Sequence, residues 1–233
     1  LAGINYVAGN FDSSYGNAVG GIVTLTPRTG RRDGIHGHAK VDIVSAGAAV
    51  EGPMRRGSFL IAAQRGYLDL ALKALEPLTG SFILPHSYDY QVIFDQPVGE
   101  GASLTVRLLG AGDTLSYPKR EYNGSYVEST MPTLRSDFHR VDLSYRKRRG
   151  AWDFLLAPAV RLDRSSAGAP GYFIRRRNDV AGLLRAEIGV RPSQRFHLLA
   201  GADTQLDRIA SLNYFQESLT MEDGPMRVDA RNF

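Results

Sequence analysis

Along most of this chain, apolar and polar residues alternate with a period of two. In residues 88–96, Tyr88, Tyr90, Val92 and Phe94 fall on one side and Asp89, Gln91 and Asp95 on the other. Such alternation is the mark of an extended strand with two different faces. Residues 140–146 repeat it, with Val141, Leu143 and Tyr145 against Arg140, Asp142 and Arg146. Residues 152–163 set Trp152, Phe154, Leu156, Val160 and Leu162 against Asp153, Arg161 and Asp163. Residues 180–191 and 196–207 do the same, the first with Arg185, Glu187 and Arg191 as its polar side.

The pattern predicts ten strands, near 35–43, 45–53, 57–66, 87–97, 102–112, 135–147, 151–164, 178–191, 195–208 and 226–233. Several are longer than the five or six residues usual in soluble sheets. They suit a tilted strand crossing a bilayer, which needs roughly 9–11 residues. The connections have a rhythm of their own. Tight turns at 51–56, 97–101, 148–150 and 191–194 alternate with long polar connections near 67–86, 113–134, 165–177 and 209–225. The first two strands are joined by a bend at Val44-Ser45-Ala46. Tyr67 to Leu75 has helical composition and reads as a strand end followed by a short helix. Outer-membrane barrels show this short–long alternation. The expected fold is therefore mainly β: an antiparallel up-and-down meander forming part of a transmembrane β-barrel. Both ends read as cut, so the expectation is an internal fragment of a larger barrel.

Composition changes this picture little. The 233 residues include 25 Gly, 11 Tyr and 10 Phe, which leans toward β structure. The absence of Cys removes disulfides, thiol nucleophiles and Cys-held metals. No run of 18 apolar residues is present, so no membrane-spanning helix is expected. The net charge of +4 comes from basic residues that alternate with apolar ones instead of forming a stripe. That argues against nucleic acid as a partner.

Residues 9–26 read Gly-Asn-Phe-Asp-Ser-Ser-Tyr-Gly-Asn-Ala-Val-Gly-Gly-Ile-Val-Thr-Leu-Thr. This segment resembles the end of the plug domain in TonB-dependent receptors. There a Tyr-Gly pair precedes Gly-Gly and an apolar strand ending in Thr. The matching positions are Phe11, Tyr15, Gly16, Asn17, Gly20 and Gly21, followed by Ile22, Val23 and Thr26. Gly20-Gly21 permits a bulge or a close backbone approach, and Ile22 to Leu25 reads as a short buried strand. The run Gly34 to Pro53 looks like the family's first barrel hairpin, and Ala63 to Asp69 like the outward end of its third strand. The resemblance implies two parts: residues 1–30 as the end of the plug and residues 31–233 as the N-terminal part of the barrel. The family's TonB-contacting box, most of the plug and the rest of a barrel of about 22 strands lie outside this sequence.

The resemblance also implies a function. Such receptors sit in the outer membrane of a Gram-negative bacterium. They take up a scarce solute: an iron–siderophore chelate, a vitamin or an oligosaccharide. The TonB–ExbB–ExbD complex energises uptake through the N-terminal region. No covalent chemistry occurs, so neither catalytic residue nor cofactor is expected. The alternative is a non-energised outer-membrane barrel acting as receptor, adhesin or assembly scaffold. A soluble β-sandwich or barrel that binds a ligand is a third reading.

Other clusters carry less. His36 and His38 share a strand face, a spacing able to hold a metal, but read as a polar strand end. Asp137, His139 and Ser144 are hydrolase residue types, yet His139 and Ser144 fall on opposite faces, which argues against a triad. Gly110 to Thr114 is Gly-rich without the Lys of a phosphate loop, and reads as a strand end. Arg146 to Arg149 reads as a solvated turn. Arg175, Arg176 and Arg177, at the outer end of a strand, are candidates for lipopolysaccharide phosphates. Arg107, Arg140, Arg161 and Arg185 are candidate lumen residues by alternation. Tyr88, Tyr90, Trp152, Phe154, Tyr172, Phe173 and Phe196 are candidates for interfacial aromatic girdles.

Overall fold

Ten of the strands in the computed structural model join one antiparallel sheet in strict chain order. It describes residues 2–10, 15, 20–70, 72, 84–116, 120–122, 125–127, 133–169, 172–193, 195–215 and 226–231. A separate hairpin comes first, from β1 (Gly3–Val7) and β2 (Ile22–Thr26). The sheet begins with β3 (His36–Val41), β4 (Ser45–Met54), β5 (Gly57–Gly66), β6 (Leu84–Pro97) and β7 (Ala102–Ser116). A small second hairpin follows, β8 (Arg120–Tyr122) with β9 (Ser125–Val127). The sheet resumes with β10 (Thr133–Arg149), β11 (Trp152–Ala169), β12 (Phe173–Ser193), β13 (Phe196–Phe215) and β14 (Met226–Arg231). Its spatial order runs from β3 to β14 with β7 beside β10. Among the described residues, β3 and β14 are each paired on one side only.

All ten expected sheet strands are present and short turns join them near the four expected places, but β4 runs through Met54 and β12 through Ser193, inside the turns expected at 51–56 and 191–194. Arg55 and Arg56 close the first, with Arg55 at φ 55°. Gly101 and Gly150 take φ of 64° and 58° in the next two. That left-handed region strains any residue with a Cβ. A Cβ on Gly101 would also stand 2.2 Å from the Arg148 carbonyl oxygen.

Two connections differ from expectation. The alternation predicts a long connection over 165–177, but β11 runs to Ala169 and β12 starts at Phe173. Residues 209–225 contain the last third of β13, which extends to Phe215. These strands keep their ladder after the alternation ends, for example at Ser165↔Arg177 and Arg175↔Asn213. Period two requires one polar and one apolar face. Beyond Arg164 and Arg208 neither face is consistently apolar, and backbone pairing continues with no pattern to announce it.

Residues 68–70 turn helically just after β5, as the composition of Tyr67 to Leu75 suggests. Most of the remainder of that connection lies outside the described residues. The Tyr67 hydroxyl donates to the Asp42 carbonyl oxygen, and the Tyr67 amide donates to the Val44 carbonyl at 2.8 Å. These bonds tie the outer end of β5 to the β3–β4 bend.

Candidate functional site

The register sorts the sheet into two chemically distinct faces. On one stand Val50, Ile61, Val92, Leu108, Val141, Val160 and Leu206, linked strand to strand by pairs such as Val92↔Leu108 and Val141↔Val160. This apolar face is the exposed one. Leu156 is 47% exposed, Leu184 45% and Leu198 63%. A sheet that buried its apolar side in a protein core would show the reverse.

The height of the apolar face can be read along β11. Its outward residues are apolar from Trp152 to Leu162 and then switch to Arg164. Ten residue steps span about 33 Å of strand. Strands tilted by roughly 40°, as those of outer-membrane barrels are, would turn that length into about 25 Å of depth, the height of such a barrel's apolar band. Aromatic rings mark both limits. Trp152 and Phe154 stack at 6.3 Å at the lower limit, with Phe196 beyond them. At the upper limit stand Tyr88 and Tyr90, level with Gly112 and Gly110. Their rings lie across those glycines, where a Cβ would come within 2.5 Å of either ring. Tyr90 reaches β10, stacks on His139 at 5.9 Å and hydrogen-bonds its Nδ1 at 2.7 Å. Glycine weakens a strand by offering no side chain to pack, and the tyrosines supply that cover from the neighbouring strand.

The other face is polar and more covered. Arg107, Arg140, Arg161 and Arg185 all lie on it, as alternation predicts. The register puts Arg140 directly opposite Arg161 and Asp163 opposite Asp179. Like charges placed so repel. The sequence offsets this within each strand by setting an acid two residues after the arginine. Arg140 pairs with Asp142 at 2.7 Å, Arg161 with Asp163 at 2.5 Å, Arg177 with Asp179 at 3.4 Å and Arg185 with Glu187 at 2.5 Å. Arg161 also reaches Asp207 at 3.9 Å, and Arg185 reaches Asp203 at 3.6 Å. Ala181, directly opposite Arg161, is fully buried on this face.

The segment that leads into β3 docks on this polar face near the short-turn end. Arg28 pairs with Glu51 of β4, and the Arg31 amide donates to the same carboxylate at 3.1 Å. Arg32 pairs with Asp95 of β6 at 2.9 Å. Gly30 lies against the backbone of Phe59, so closely that a Cβ would sit 1.9 Å from its carbonyl oxygen. Leu60, Ile93 and Ser58, the largest fully buried side chains, face the same side beside these anchors. Further along the sheet, the Arg185 guanidinium lies 5.9 Å from the Tyr15 ring centre. The polar face thus holds parts of the N-terminal segment at two places.

The other sequence-derived residues divide as follows. Phe11, Gly16 and Asn17 lie outside the described residues. Gly21 packs beneath the Tyr6 ring, where a Cβ would stand 2.7 Å from the nearest ring carbon, whereas Gly20 has open space around it. The strand Ile22–Thr26 forms, but it is not buried: Val23 and Leu25 are 60% and 56% exposed, beside the equally exposed Ile4 and Tyr6. Of Arg175, Arg176 and Arg177, only Arg176 lies on the apolar face, because adjacent strand residues point oppositely. Phe173 stacks on Phe215 on the polar face at 6.5 Å, apart from the two ring layers. His139 and Ser144 do lie on opposite faces. Gly110 to Thr114 sits inside β7, not at its end. His36 has a carboxylate partner, Asp33 at 3.1 Å, while His38 is exposed. No metal-holding group of His, Asp and Glu occurs among the described residues.

Sequence reasoning missed the docking pairs Arg28–Glu51 and Arg32–Asp95 and the Tyr90–His139 bond. Nothing local marks them, since their partners are 23, 63 and 49 residues apart. The Arg-x-Asp/Glu repeat on four polar-face segments is visible in the sequence and is the signal for the ladder. No family model, curated protein or solved structure matches the chain.

Proposed function

We propose that this chain is the plug end and first barrel strands of a TonB-dependent outer-membrane receptor, which takes up a scarce solute across the outer membrane. The observation that carries the membrane part is the outward apolar band, about 25 Å deep and bounded by aromatic rings at both limits. The turns of two to four residues at one end and the longer β5–β6, β7–β10 and β13–β14 connections at the other fit the same reading, while β3–β4 and β11–β12 close at that second end over three residues each. The receptor part rests on the Tyr-Gly and Gly-Gly segment and on its place just before the first sheet hairpin. Docking of residues 28–32 and Tyr15 on the polar face fits a plug end held inside a lumen. The exposed apolar face of the β1–β2 hairpin fits a piece of a larger plug that covers it.

The solute belongs to the classes such receptors carry: an iron–siderophore chelate, a vitamin or an oligosaccharide. The test is uptake by cells bearing the full-length protein, screened with those three classes. Uptake that stops when TonB is deleted or the proton gradient is collapsed supports the proposal. Uptake or binding indifferent to both would overturn it in favour of a non-energised receptor, adhesin or scaffold.

A further inference from the structure

The two faces of β10–β13 differ in how their charges are balanced. On the polar face, Arg140, Arg161, Arg177 and Arg185 each meet a carboxylate. On the apolar face, the arginines at or just above the upper limit of the band are Arg135, Arg164, Arg176 and Arg208, with Asp137 the single acid beside them among the described residues of β10–β13. Asp137 is already engaged: Arg135 holds it at 3.0 Å and His139 stands at 3.7 Å. Among the described residues of β10–β13, four arginines against one aspartate leave about three positive charges without an opposing acid. Arg164, Arg176 and Arg208 are all exposed.

Their placement follows from the register. Arg164 lies opposite Asn178, and Arg176 is two residues from Asn178 on the same face of β12. Neighbouring strands are about 4.8 Å apart and two residues span about 6.7 Å, so their Cα atoms stand roughly 8 Å apart. Arg208 lies opposite Val180, level with the last apolar row. Guanidinium groups here would sit at the headgroup level of the outer leaflet, aimed at lipid instead of lumen. Their planar forks match phosphate oxygens in paired hydrogen bonds.

We infer that Arg164, Arg176 and Arg208 form a binding rim for the phosphate groups of an outer-leaflet glycolipid, the phosphorylated lipid A portion of lipopolysaccharide. This rests on the membrane reading proposed above. It moves the contact expected at Arg175 to Arg177 onto a different set that shares only Arg176, because Arg175 and Arg177 face the polar side.

The test is retention of lipid A by the full-length protein purified in detergent, read by native mass spectrometry. The variants are Arg164→Gln/Arg176→Gln on the rim and Arg146→Gln/Arg175→Gln on the polar face, which remove the same charge. Each arginine near a charged lipid surface is worth about a factor of five, so the rim pair should weaken retention on the order of 30-fold. Adding Arg208→Gln should weaken it by about fivefold more. The polar-face pair should bind as the parent does. Dephosphorylated lipid A should bind the parent as weakly as phosphorylated lipid A binds the rim variant. Competition by free inorganic phosphate at millimolar concentration would point to a soluble anion site and overturn the inference. So would equal binding by the rim variant, or equal loss in the polar-face variant. Failure of the underlying reading looks different: the parent protein would then stay folded and monomeric in buffer without detergent.

Discussion

A positive charge placed midway down the apolar face should cost far more than the same charge at its edge. Leu156 lies four residues above Trp152 on β11, and Leu184 of β12 lies opposite Pro158, six residues above that limit. At about 3.3 Å per residue and a tilt of roughly 40°, the two stand about 10 and 15 Å into a band about 25 Å deep. Leu162 stands at its upper limit. An arginine at the midplane of a lipid-facing strand costs about 2–4 kcal/mol, and one near the interface about 0–1. Leu156→Arg and Leu184→Arg should therefore lose about 2–4 kcal/mol of folding stability, and Leu162→Arg about 1 or less. The contrast with water is sharp. Leu156 and Leu184 are 47% and 45% exposed, and a surface substitution at such sites in a soluble protein is usually within about 0.5 kcal/mol of neutral. The measurement is equilibrium unfolding of the full-length protein in lipid vesicles, followed by guanidinium titration. Equal, small effects at all three positions would refute the lipid-facing band. A large effect at Leu162 equal to that at Leu156 would refute the depth assignment.

Three further outcomes follow from particular contacts. Gly30→Ala should push the lead-in segment off the sheet, since its Cβ has no room beside the Phe59 carbonyl; faster hydrogen exchange over residues 28–35 would report it, and unchanged exchange would count against the docking. Tyr90→Phe keeps the ring over Gly110 but removes the bond to His139, so it should cost about 0.5–1.5 kcal/mol, whereas Tyr90→Ala should cost more in the same unfolding assay. Asp42, in the β3–β4 bend, accepts from the Val44 amide first and also from Lys40 and Ser45, and these contacts hold its carboxyl well below the usual carboxylate range. A depressed folded value means the contribution is present above the unfolded value and is lost only as pH falls through the folded one. Asp42 should thus remain ionised at pH 3.5 in a carboxyl-carbon NMR titration, and a midpoint near the ordinary value would show that the bend does not hold it.

How much of this was legible in the sequence varied with the physics behind each feature. The ten strands were legible because one apolar face and one polar face impose period two on every strand of the sheet. The alternation placed Arg107, Arg140, Arg161 and Arg185 on one face with no knowledge of neighbours. It also separated His139 from Ser144. The pattern fell silent where neither face is consistently apolar, and so it ended β11 at 164 and β13 at 208 when the ladders run on to Ala169 and Phe215.

The sequence by itself determined which residues share a face, because a strand's side chains alternate whatever lies beside it. It also determined where the chain turns, through Gly101, Gly150 and the paired Arg55-Arg56. Only the tertiary structure decided which faces meet across strands. Register depends on backbone hydrogen bonds between segments far apart in the chain, and it set Arg140 against Arg161, Tyr90 across Gly110 to His139, and Arg164 near Arg176. The same long-range pairing brought Arg28 to Glu51 and Arg32 to Asp95. It also showed that the apolar face is the exposed one, which periodicity cannot tell, because alternation is the same whether the apolar side is buried in a core or left uncovered.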